Sequence, residues 1–263
     1  EEPNALLTVG QGAFQDPNIR ATTQEIFEGL ITKSQNNWPN LHYDILSAND
    51  LFSDFLGAGF YYKTFMWPKS FWEKVYEPFI RRAAGLGALS GLHNSDTYEK
   101  AYTFCDLLII GGGPSGLMAA KIAAEAGLDV IIVEQEPIFG GRLISETEEV
   151  DGVPGSVWAA KTVKNLEELN NVRLFSRTTV TGAYDQGTFA AVERVGHHLP
   201  KRGGDRPLEC FWRIVAKHSI LAAGAIERSI AFPNNDRPGI MSAGAVRTYL
   251  NRFGVSTGKS VAL

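Results

Sequence analysis

The chain has 263 residues, of which 44% are hydrophobic and 21% are charged, and its mean hydropathy is -0.09. These values are typical of a globular protein that buries roughly three quarters of its unfolded surface, and they exclude a disordered, fibrous or disulfide-stapled chain. A net charge of -4 and an isoelectric point near 5.8 argue against nucleic acid as the main partner, because phosphate binding needs a basic surface.

Cysteine usage and the length of the apolar runs indicate the compartment. The two cysteines, Cys105 and Cys210, are too few for a disulfide scaffold and suit a reducing environment. The longest strongly apolar run, Leu107–Ile110, is far shorter than the ~18 residues that a membrane span needs. The sequence therefore predicts a cytoplasmic protein with neither a nucleic-acid nor a membrane partner.

Both ends of the sequence indicate a segment of a longer polypeptide. The chain begins with Glu1 rather than with methionine. It ends with a turn at 257–260, followed by Val261–Leu263, which has the pattern of an apolar strand that has just begun. We therefore expect further residues on both sides of this sequence.

Residues 1–104 are predicted to form an aromatic-rich N-terminal extension and a linker. Thr22 and Glu25 have the spacing of a capping box, and the apolar residues after them recur with a helical period. The predicted helix would bury Ile26, Phe27, Leu30 and Ile31. Nine aromatic residues lie within 60–79, where they either form a lid on the protein's own core or contact a partner or a flat cofactor. Glycines at 85–91 indicate a loose connection to the next part of the chain.

From Leu107 onward the sequence alternates between strands and helices. Leu107–Ile110 has the pattern of a buried strand, and Asp129–Val133 that of a second one. The small residues between these strands predict a helix that ends at Gly127. Together they form a β-α-β unit of about thirty residues, which is the size of a mononucleotide-binding unit.

The turn between the first strand and the helix matches the G-x-G-x-x-G pattern of dinucleotide-binding folds. In that pattern Gly111 permits the tight turn, Gly113 lets the backbone approach a pyrophosphate, and Gly116 lets the helix pack on the strand. Pro114 and Ser115 open the helix, whose free amides and positive dipole end bind the diphosphate. The context predicts a dinucleotide site, and a purely structural turn is the alternative.

An acidic residue, Glu134, closes the second strand 23 positions after Gly111. A carboxylate at this place accepts hydrogen bonds from the adenosine ribose and repels a 2′-phosphate, which favours NAD or FAD over NADP. The neighbouring Gln135 belongs to the same predicted cofactor-binding loop. The alternative is that Glu134 is a solvated strand end.

A second glycine pair, Gly140–Gly141, lies in the loop after this strand and is followed by Arg142. Gly141 allows another close approach of the backbone to the diphosphate. Arg142 is predicted to reach the phosphates or to stack on a ring. A surface salt bridge is the alternative for Arg142.

The remaining elements are a helix at 157–169, a third parallel strand at 172–175 and three antiparallel strands. The antiparallel strands are predicted at 178–184, 188–195 and 211–217. The chain then returns as a strand of small residues at 219–225, which includes Gly224. Small residues there either let the strand pass close to a bound dinucleotide or allow tight packing.

This order of elements resembles that of the flavoproteins with two dinucleotide-binding domains, over residues 106–239. The resemblance implies an α/β fold, with a Rossmann-like, FAD/NAD(P)-binding parallel sheet and a three-stranded antiparallel meander, here preceded by the N-terminal extension. It implies that residues 105–254 are the first part of a dinucleotide-binding domain, in which the backbone near Val180 faces the adenine. Residues 255–263 would then begin a second nucleotide-binding β-α-β unit.

Further stretches resemble the alpha subunits of the heterotetrameric sarcosine oxidases and extend over nearly the whole chain. They are residues 36–39, 60–68, 71–78, 80–87, 178–180 with 184–185, 235–239 and 247–252. Other two-domain flavoproteins lack the aromatic segment at 60–68, so this second resemblance is the more specific one.

The sarcosine oxidase resemblance implies a complex of alpha, beta, gamma and delta subunits that oxidises the small molecule sarcosine to glycine and reduces oxygen to hydrogen peroxide. The released one-carbon unit is captured by tetrahydrofolate. The resemblance also implies that the amine is oxidised at FAD in the beta subunit, that FMN lies at the alpha-beta contact, and that this chain holds NAD. It places a folate-binding domain after this segment and a ferredoxin-like domain before it, so we expect this segment alone to be inactive.

The residues themselves contain no convincing catalytic or metal-binding constellation. Cys105 and Cys210 form no C-x-x-C pair, and the five histidines do not repeat at metal-ligand spacing. His197–His198 lies in a polar stretch, which predicts an exposed loop rather than a metal site. No G-x-S-x-G elbow supports a serine triad. Three other functions remain open: an autonomous pyridine-nucleotide flavoprotein reductase, a related opine or proline oxidase subunit, and a structural subunit with a vestigial nucleotide site.

Overall fold

The computed structural model describes residues 5–55, 64–65, 67–200, 206–228, 230–235 and 239–260, with the backbone alone at 50 and 52–55. Several sequence predictions therefore lie outside the described residues, namely those at 1–4, 60–63, 66, 201–205, 236–238 and 261–263. The described chain forms two compact units. We call them the N-terminal unit, residues 5–96 with 198–200, and the sheet unit, residues 97–197 and 206–260.

The N-terminal unit contains a small antiparallel sheet and several short helical turns. Its strands are β1 (Leu6–Val9), β2 (Asp16–Arg20) and β3 (Thr32–Ser34), with β1 in the middle. Short 3₁₀ helices lie at Gly12–Phe14, Ala21–Thr23 and Ile45–Phe55. A longer helical segment comprises a 3₁₀ turn at Lys69–Phe71, a π-helical turn at Trp72–Tyr76 and α1 (Glu77–Ala83).

The helix predicted after Thr22 is not formed, so that prediction is wrong. The segment consists of the 3₁₀ turn Ala21–Thr23 and of irregular backbone that continues to β3. Gly29 has a left-handed φ of +81°, which ends a right-handed helix, and the Ile26 side chain is 91% exposed. A helix of so few residues is not stable in water without a packed apolar face.

Side-chain hydrogen bonds connect the strands of the N-terminal unit to the segment after α1. The Gln35 amide donates to Asn18 Oδ1 (2.8 Å) and to the Gly85 carbonyl oxygen (2.9 Å). Gln35 Oε1 accepts from the Thr8 hydroxyl (2.9 Å) and from the backbone N–H of Asn18 (2.8 Å). Asn18 Oδ1 also accepts the N–H of Gly87 (2.9 Å). A polar network centred on Gln35 and Asn18 therefore joins these parts of the unit.

The sheet unit alternates strands with helices. In chain order its elements are β4 (Tyr98–Ile110), α2 (Pro114–Glu125), β5 (Val130–Val133), β6 (Glu149–Val150), β7 (Val153–Pro154), α3 (Gly155–Glu167), β8 (Val172–Phe175), β9 (Thr178–Tyr184), β10 (Thr188–Arg194), β11 (Glu209–Leu221) and α4 (Ala243–Arg247). A π-helical turn at Thr248–Arg252 follows α4 directly.

Six of these strands form one mixed sheet of order β8-β5-β4-β11-β10-β9, while β6 and β7 pair separately. The first four strands of the sheet are parallel to one another, and β10 runs antiparallel to both of its neighbours. The predicted fold class is confirmed, since a Rossmann-like parallel sheet is joined to a three-stranded antiparallel meander.

Two strands of this sheet are longer than the sequence predicted. β4 begins at Tyr98, and β11 unites two elements that were predicted separately, the third meander strand at 211–217 and the returning strand at 219–225. The returning strand is shorter than predicted, because β11 ends at Leu221 and residues 222–225 have irregular backbone. The two strands pair in parallel from Tyr98 and Glu209 to Ile110 and Leu221. Neither strand contains a glycine or a proline that would end it, and each supplies hydrogen-bonding partners to the other.

Apolar layers cover both faces of the parallel strands. On one face Leu117 of α2, Trp158 of α3 and Ile132 of β5 belong to one buried apolar cluster. On the other face Phe189 and Ile214 of the meander belong to the layer that covers the opposite side of β4 and β5. The carboxyl ends of β4, β5 and β8 lie at one edge of the sheet, beside the start of α2, and this edge contains the predicted site.

Candidate functional site

The glycine turn between β4 and α2 brings these two elements into close contact. Gly111 has a φ of +111°, and its N–H donates to the carbonyl oxygen of Val133 in β5 (2.8 Å). A Cβ on Gly111 would overlap the Ala222 carbonyl oxygen, and a Cβ on Gly116 would overlap the Gly111 carbonyl oxygen. Both positions therefore need glycine for the packing of the turn itself.

Gly113, in contrast, faces open space. Its backbone is extended (φ -74°, ψ -174°), and the nearest described atom to a Cβ placed on it is the Gly141 Cα, at 4.0 Å. A Cβ on Gly141, which has a φ of +52°, would lie 2.9 Å from the Gly113 Cα. The Gly140 N–H donates to the Gly112 carbonyl oxygen (2.8 Å) and ties the two loops together. The structure thus brings both predicted glycine segments to one place.

The open space beside Gly113 borders the first turn of α2. Gly113 is the N-cap residue of this helix, Pro114 is its first residue, and Ser115 is exposed. The first amides of an α-helix have no acceptor within the helix, and the helix dipole makes this end positive. An anionic group in the open space would therefore meet N–H donors and the positive end of α2.

Glu134 is buried directly after β5, with 8% of its surface exposed. Its Oε2 accepts the backbone N–H of Gly112 (2.8 Å), and its Oε1 accepts that of Glu136 (2.9 Å). Its own N–H donates to the Phe175 carbonyl oxygen, and its carbonyl oxygen accepts the Thr178 N–H, each over 2.8 Å. The carboxylate is thereby fixed against the glycine turn, and each oxygen keeps a second lone pair for a further donor such as a ribose hydroxyl.

The two residues after Glu134 are held by distant parts of the chain. The Gln135 carbonyl oxygen accepts from the Arg194 guanidinium (2.6 Å), and the Glu136 carboxylate pairs with Arg252 (2.8 Å). Sequence reasoning included Gln135 but missed Glu136, Arg194 and Arg252. These pairs are separated by 59 and 116 positions, and no local sequence pattern connects such residues.

Arg142 pairs with an acidic residue of its own loop. Its Nε donates to Glu146 Oε1 (2.8 Å), and 66% of the Arg142 side chain is exposed. Glu146 Oε1 also lies 3.7 Å from Arg247 in α4. The structure therefore contains the salt bridge that was the alternative role for Arg142, on a residue that directly follows Gly141.

The segment that follows β11 packs against the second glycine loop. The Asn251 amide donates to the Ser145 carbonyl oxygen (2.9 Å). Glu227 accepts the N–H of Gly244 at the start of α4 (2.9 Å), and this bond holds the pKa of the Glu227 carboxyl below its usual value. Residues 242–252 are thus tied to the loops of the site by backbone and side-chain contacts.

Val180 takes part in the packing of the meander. It pairs with Ala191 of β10, and its side chain lies against the apolar layer between the meander and the parallel strands. The meander residue that bonds to Glu134 is Thr178, two positions earlier. The expected approach of the Val180 backbone to an adenine stays a prediction.

Gly224 lies in irregular backbone beyond β11. It has a left-handed φ of +69°, and a Cβ placed on it would have no described atom within 4 Å. The residue of the returning segment that closely approaches the glycine turn is Ala222, beside Gly111. A role for Gly224 at a cofactor stays a prediction.

The two thiols are poor nucleophiles in this fold. Both are free and buried, and burial raises the pKa of Cys105 to about 11 and that of Cys210 above its usual value. His197 lies 3.1 Å from Glu209, and this contact lowers the pKa of the Glu209 carboxyl. Within the described ranges, no group of three or more His, Cys, Asp or Glu residues is arranged to hold a metal ion. No helix of the described chain is long and apolar enough to cross a membrane.

The geometry of this edge fits a dinucleotide. The open space at Gly113, which Gly141 and the start of α2 border, has the position and the donors that a diphosphate needs. Glu134, at the end of the neighbouring strand, has the position from which a carboxylate reaches an adenosine ribose. The site offers hydrogen-bonding groups and a positive helix end, which are the features that a protein uses to bind and orient an anionic ligand.

The chain is similar to known proteins over part or all of its length. Residues 106–198 match the family described as FAD dependent oxidoreductase. The chain is 53% identical over its full length to sarcosine oxidase subunit alpha of Rhizobium meliloti (strain 1021), of which it covers 26%. It is 39% identical over its full length to sarcosine oxidase subunit alpha of Corynebacterium sp. (strain U-96), of which it covers 23%. The crystal structure of L-proline dehydrogenase from P. horikoshii is 25% identical, with a TM-score of 0.48 over 64% of this chain and 32% of that one.

The chain spans about a quarter of the length of these two curated relatives. The matched part includes the N-terminal unit as well as the sheet unit, because all of the chain is aligned. By this similarity the chain belongs to the family of sarcosine oxidase alpha subunits.

Proposed function

We propose that this chain is the NAD-binding part of a sarcosine oxidase alpha subunit. The observation that carries the proposal is the open backbone at Gly113, which Gly141 and the first turn of α2 border. Glu134 is held beside the same turn by the N–H of Gly112. An open, glycine-lined helix start next to a fixed carboxylate is the arrangement with which Rossmann-like folds bind a dinucleotide.

The diphosphate is the part of the ligand that the helix start binds. In this proposal it passes along the open side of Gly113 and accepts hydrogen bonds from the N–H groups of Ser115 and Gly116. Pro114 has no N–H, but its fixed φ suits the first helical position. Gly111 keeps the turn tight enough for these amides to point toward the ligand.

The other predicted residues surround the nucleoside. The Glu134 carboxylate accepts hydrogen bonds from the ribose hydroxyls, and Gln135 belongs to the loop beside the ribose. Arg142 exchanges its exposed pairing with Glu146 for a phosphate oxygen. The backbone near Val180 faces the adenine, and the chain passes the ligand again near Gly224. Bound NAD would supply a nicotinamide ring that carries a hydride.

The activity that we propose belongs to the complex as a whole. Sarcosine is oxidised to glycine at FAD in the beta subunit, oxygen is reduced to hydrogen peroxide, and tetrahydrofolate captures the one-carbon unit. FMN lies at the alpha-beta contact, and gamma and delta subunits complete a cytoplasmic heterotetramer. We expect this segment alone to bind nucleotide and to be inactive toward the amine.

Exposed aromatic side chains support a partner contact in the N-terminal unit. Trp67 and Phe79 are 83% and 71% exposed, and such apolar surface is typical of protein interfaces. We propose that the aromatic segment predicted at 61–67, of which Phe65 and Trp67 belong to the described residues, packs toward the FMN-bearing partner. Hydrogen exchange of this region should become slower when the beta subunit is added, and identical exchange with and without that subunit would contradict the contact.

FAD is a second candidate for the occupant of this site. The match of residues 106–198 to the FAD dependent oxidoreductase family favours it, and the adenosine diphosphate half of FAD presents the same ribose and diphosphate as NAD. Purified chain should be denatured, and the released nucleotide should be identified by mass spectrometry. Recovered NAD supports our proposal, and recovered FAD supports the second candidate.

The variant that tests the site is Gly113→Val. Its backbone angles are open to any residue, and the nearest atom to the new Cβ is 4.0 Å away, so we expect the chain to fold. The new side chain would fill the diphosphate path and abolish nucleotide retention. Lys121→Val, at an exposed position of the same helix, is the control and should retain nucleotide. Unchanged nucleotide content in Gly113→Val would overturn the site.

The other functions that remain open predict different results when the same purified chain is assayed. A chain that retains FAD and consumes NADH by itself would be an autonomous reductase. A chain that contains no nucleotide and binds none would have a vestigial site. Copurification with the beta subunit, followed by a screen of sarcosine, opines and proline, separates a sarcosine oxidase from its relatives.

A further inference from the structure

Glu136 is a second acidic residue in the corner that residues 134–136 form directly after β5. The Glu136 N–H donates to Glu134 Oε1 (2.9 Å), so its backbone is one hydrogen bond away from the carboxylate that is proposed to bind the ribose. Glu136 Oε2 lies 2.8 Å from a guanidinium nitrogen of Arg252, and 30% of the Glu136 side chain is exposed. This corner therefore contains two carboxylates and one cation.

Arg252 is held in this place by its surroundings. It ends the π-helical turn Thr248–Arg252, whose Asn251 donates to the Ser145 carbonyl oxygen (2.9 Å). Its guanidinium carbon lies 5.3 Å from the centre of the Phe253 ring, and 24% of its side chain is exposed. An arginine that is already positioned loses little conformational freedom when it binds an anion.

Dinucleotide-binding folds use an arginine near this corner to accommodate a ribose 2′-phosphate. In this chain Glu136 neutralises the arginine that lies there and adds a second negative charge beside Glu134. We propose that Glu136 is a specificity-determining residue, which occupies Arg252 and so restricts the site to dinucleotides with a free 2′-hydroxyl. This inference rests on the proposed dinucleotide site and adds the residue pair that selects NAD over its 2′-phosphorylated form.

The geometry allows Glu136 to be tested without disturbing Glu134. Glu134 is held by backbone N–H groups, one of which belongs to Glu136 itself. A glutamine at 136 keeps that N–H and removes the negative charge of the side chain. Glu136→Gln therefore releases Arg252 from its ion pair and leaves both hydrogen bonds of the ribose carboxylate in place.

The experiment measures the binding of NAD⁺ and NADP⁺ to the purified chain by calorimetry. We expect the wild-type chain to prefer NAD⁺. In Glu136→Gln the affinity for NADP⁺ relative to NAD⁺ should rise about tenfold or more, because Arg252 becomes free to pair with the 2′-phosphate. The double variant Glu136→Gln with Arg252→Gln is the control in which this gain should disappear. Glu136→Ala is a second variant with the same expected gain, and circular dichroism checks that each chain is folded.

A purely structural ion pair predicts a different pattern. If Glu136→Gln changes both affinities by the same factor, or if the double variant keeps the gain, the specificity assignment is overturned and the dinucleotide site stands. If the wild-type chain does not bind NAD⁺, whether or not it binds FAD, the proposed function is overturned, and the assignment with it. AMP and adenosine 2′,5′-bisphosphate are a second pair of probes, which should show the same change of preference without a nicotinamide.

Discussion

The two compact units of this chain are stabilised in different ways. In the sheet unit apolar side chains fill a layer on each face of the parallel strands, and Ile131 and Ile132 are fully buried. In the N-terminal unit, the buried residues among those with a described burial between 5 and 96 are Thr8, Val9 and Gly85. Hydrophobic burial therefore stabilises the sheet unit far more than it stabilises the N-terminal unit.

Side-chain hydrogen bonds, rather than an apolar core, connect the parts of the N-terminal unit. Gln35 takes part in four side-chain hydrogen bonds, which join β1, β2 and the segment after α1. Large apolar residues such as Leu51 and Leu89 are more than 80% exposed. The sheet unit therefore contains its own apolar driving force for folding, whereas the N-terminal unit depends on polar contacts and leaves large apolar side chains exposed.

The largest effect is expected from a core residue of the sheet unit. Ile132→Ala removes a fully buried side chain from β5 and should lower the free energy of unfolding of this unit by about 2–5 kcal/mol. The matched control is Ile26→Ala in the N-terminal unit, which is 91% exposed and should cost less than about 0.5 kcal/mol. Urea titrations followed by hydrogen exchange would measure both units. Equal losses in the two variants would contradict the comparison.

The same difference explains which parts of the fold the sequence predicted. The apolar runs at 107–110 and 130–133 and the glycine turn between them are local patterns, and the structure confirms the fold class that they indicate. The full extent of β4 and β11 depends on pairing between Tyr98 and Glu209, which no local pattern records. The helix predicted after Thr22 had the right period, but its apolar side had no core to pack against.

Some residues of the candidate site could likewise be predicted from local sequence patterns, and others only from the structure. The glycine positions and Glu134 follow from the chemistry of a short stretch, in which each residue has a task that its type alone suggests. The pairing of Arg142 with Glu146 is also local, since the two residues are four positions apart. The pairing of Glu136 with Arg252 comes from the tertiary fold and could be found only in the structure.

Burial of a thiol should make the sheet unit sensitive to alkaline pH. Because burial raises the pKa of Cys105 from 9.0 to about 11, the folded chain keeps a proton that the unfolded chain loses above pH 9. Stability is therefore complete below pH 9 and falls as the pH rises toward 11, by roughly 2–3 kcal/mol at the upper end. Unfolding by urea between pH 8 and 11 would measure this loss. Cys105→Ala should show a smaller decline, and an unchanged pH dependence in that variant would exclude this cause.

The hydrogen-bond network of the N-terminal unit should be next in magnitude. Gln35→Ala leaves the Thr8 hydroxyl and the Asn18 N–H without this partner and should cost the unit about 1–3 kcal/mol. Amide exchange in β1 and β2 would report the loss. Gln24→Ala is the control, because the Gln24 side chain donates to the adjacent Glu25 carbonyl oxygen and joins no separate elements. Similar exchange in both variants would show that the network does not hold the unit together.

The smallest effect is expected from a polar pair of the sheet unit. His197 lies 3.1 Å from Glu209 and holds the pKa of the Glu209 carboxyl below its usual 4.5. A lowered pKa means that the contribution is present above pH 4.5 and is lost as the pH falls through the value in the folded state. Both side chains are partly exposed, so solvent screening limits the pair to less than about 1 kcal/mol. Glu209→Gln should be slightly less stable than wild type at pH 6, and the difference should vanish near pH 3. A loss as large as that of Gln35→Ala would contradict this difference between the units, because polar pairs would then stabilise both units equally.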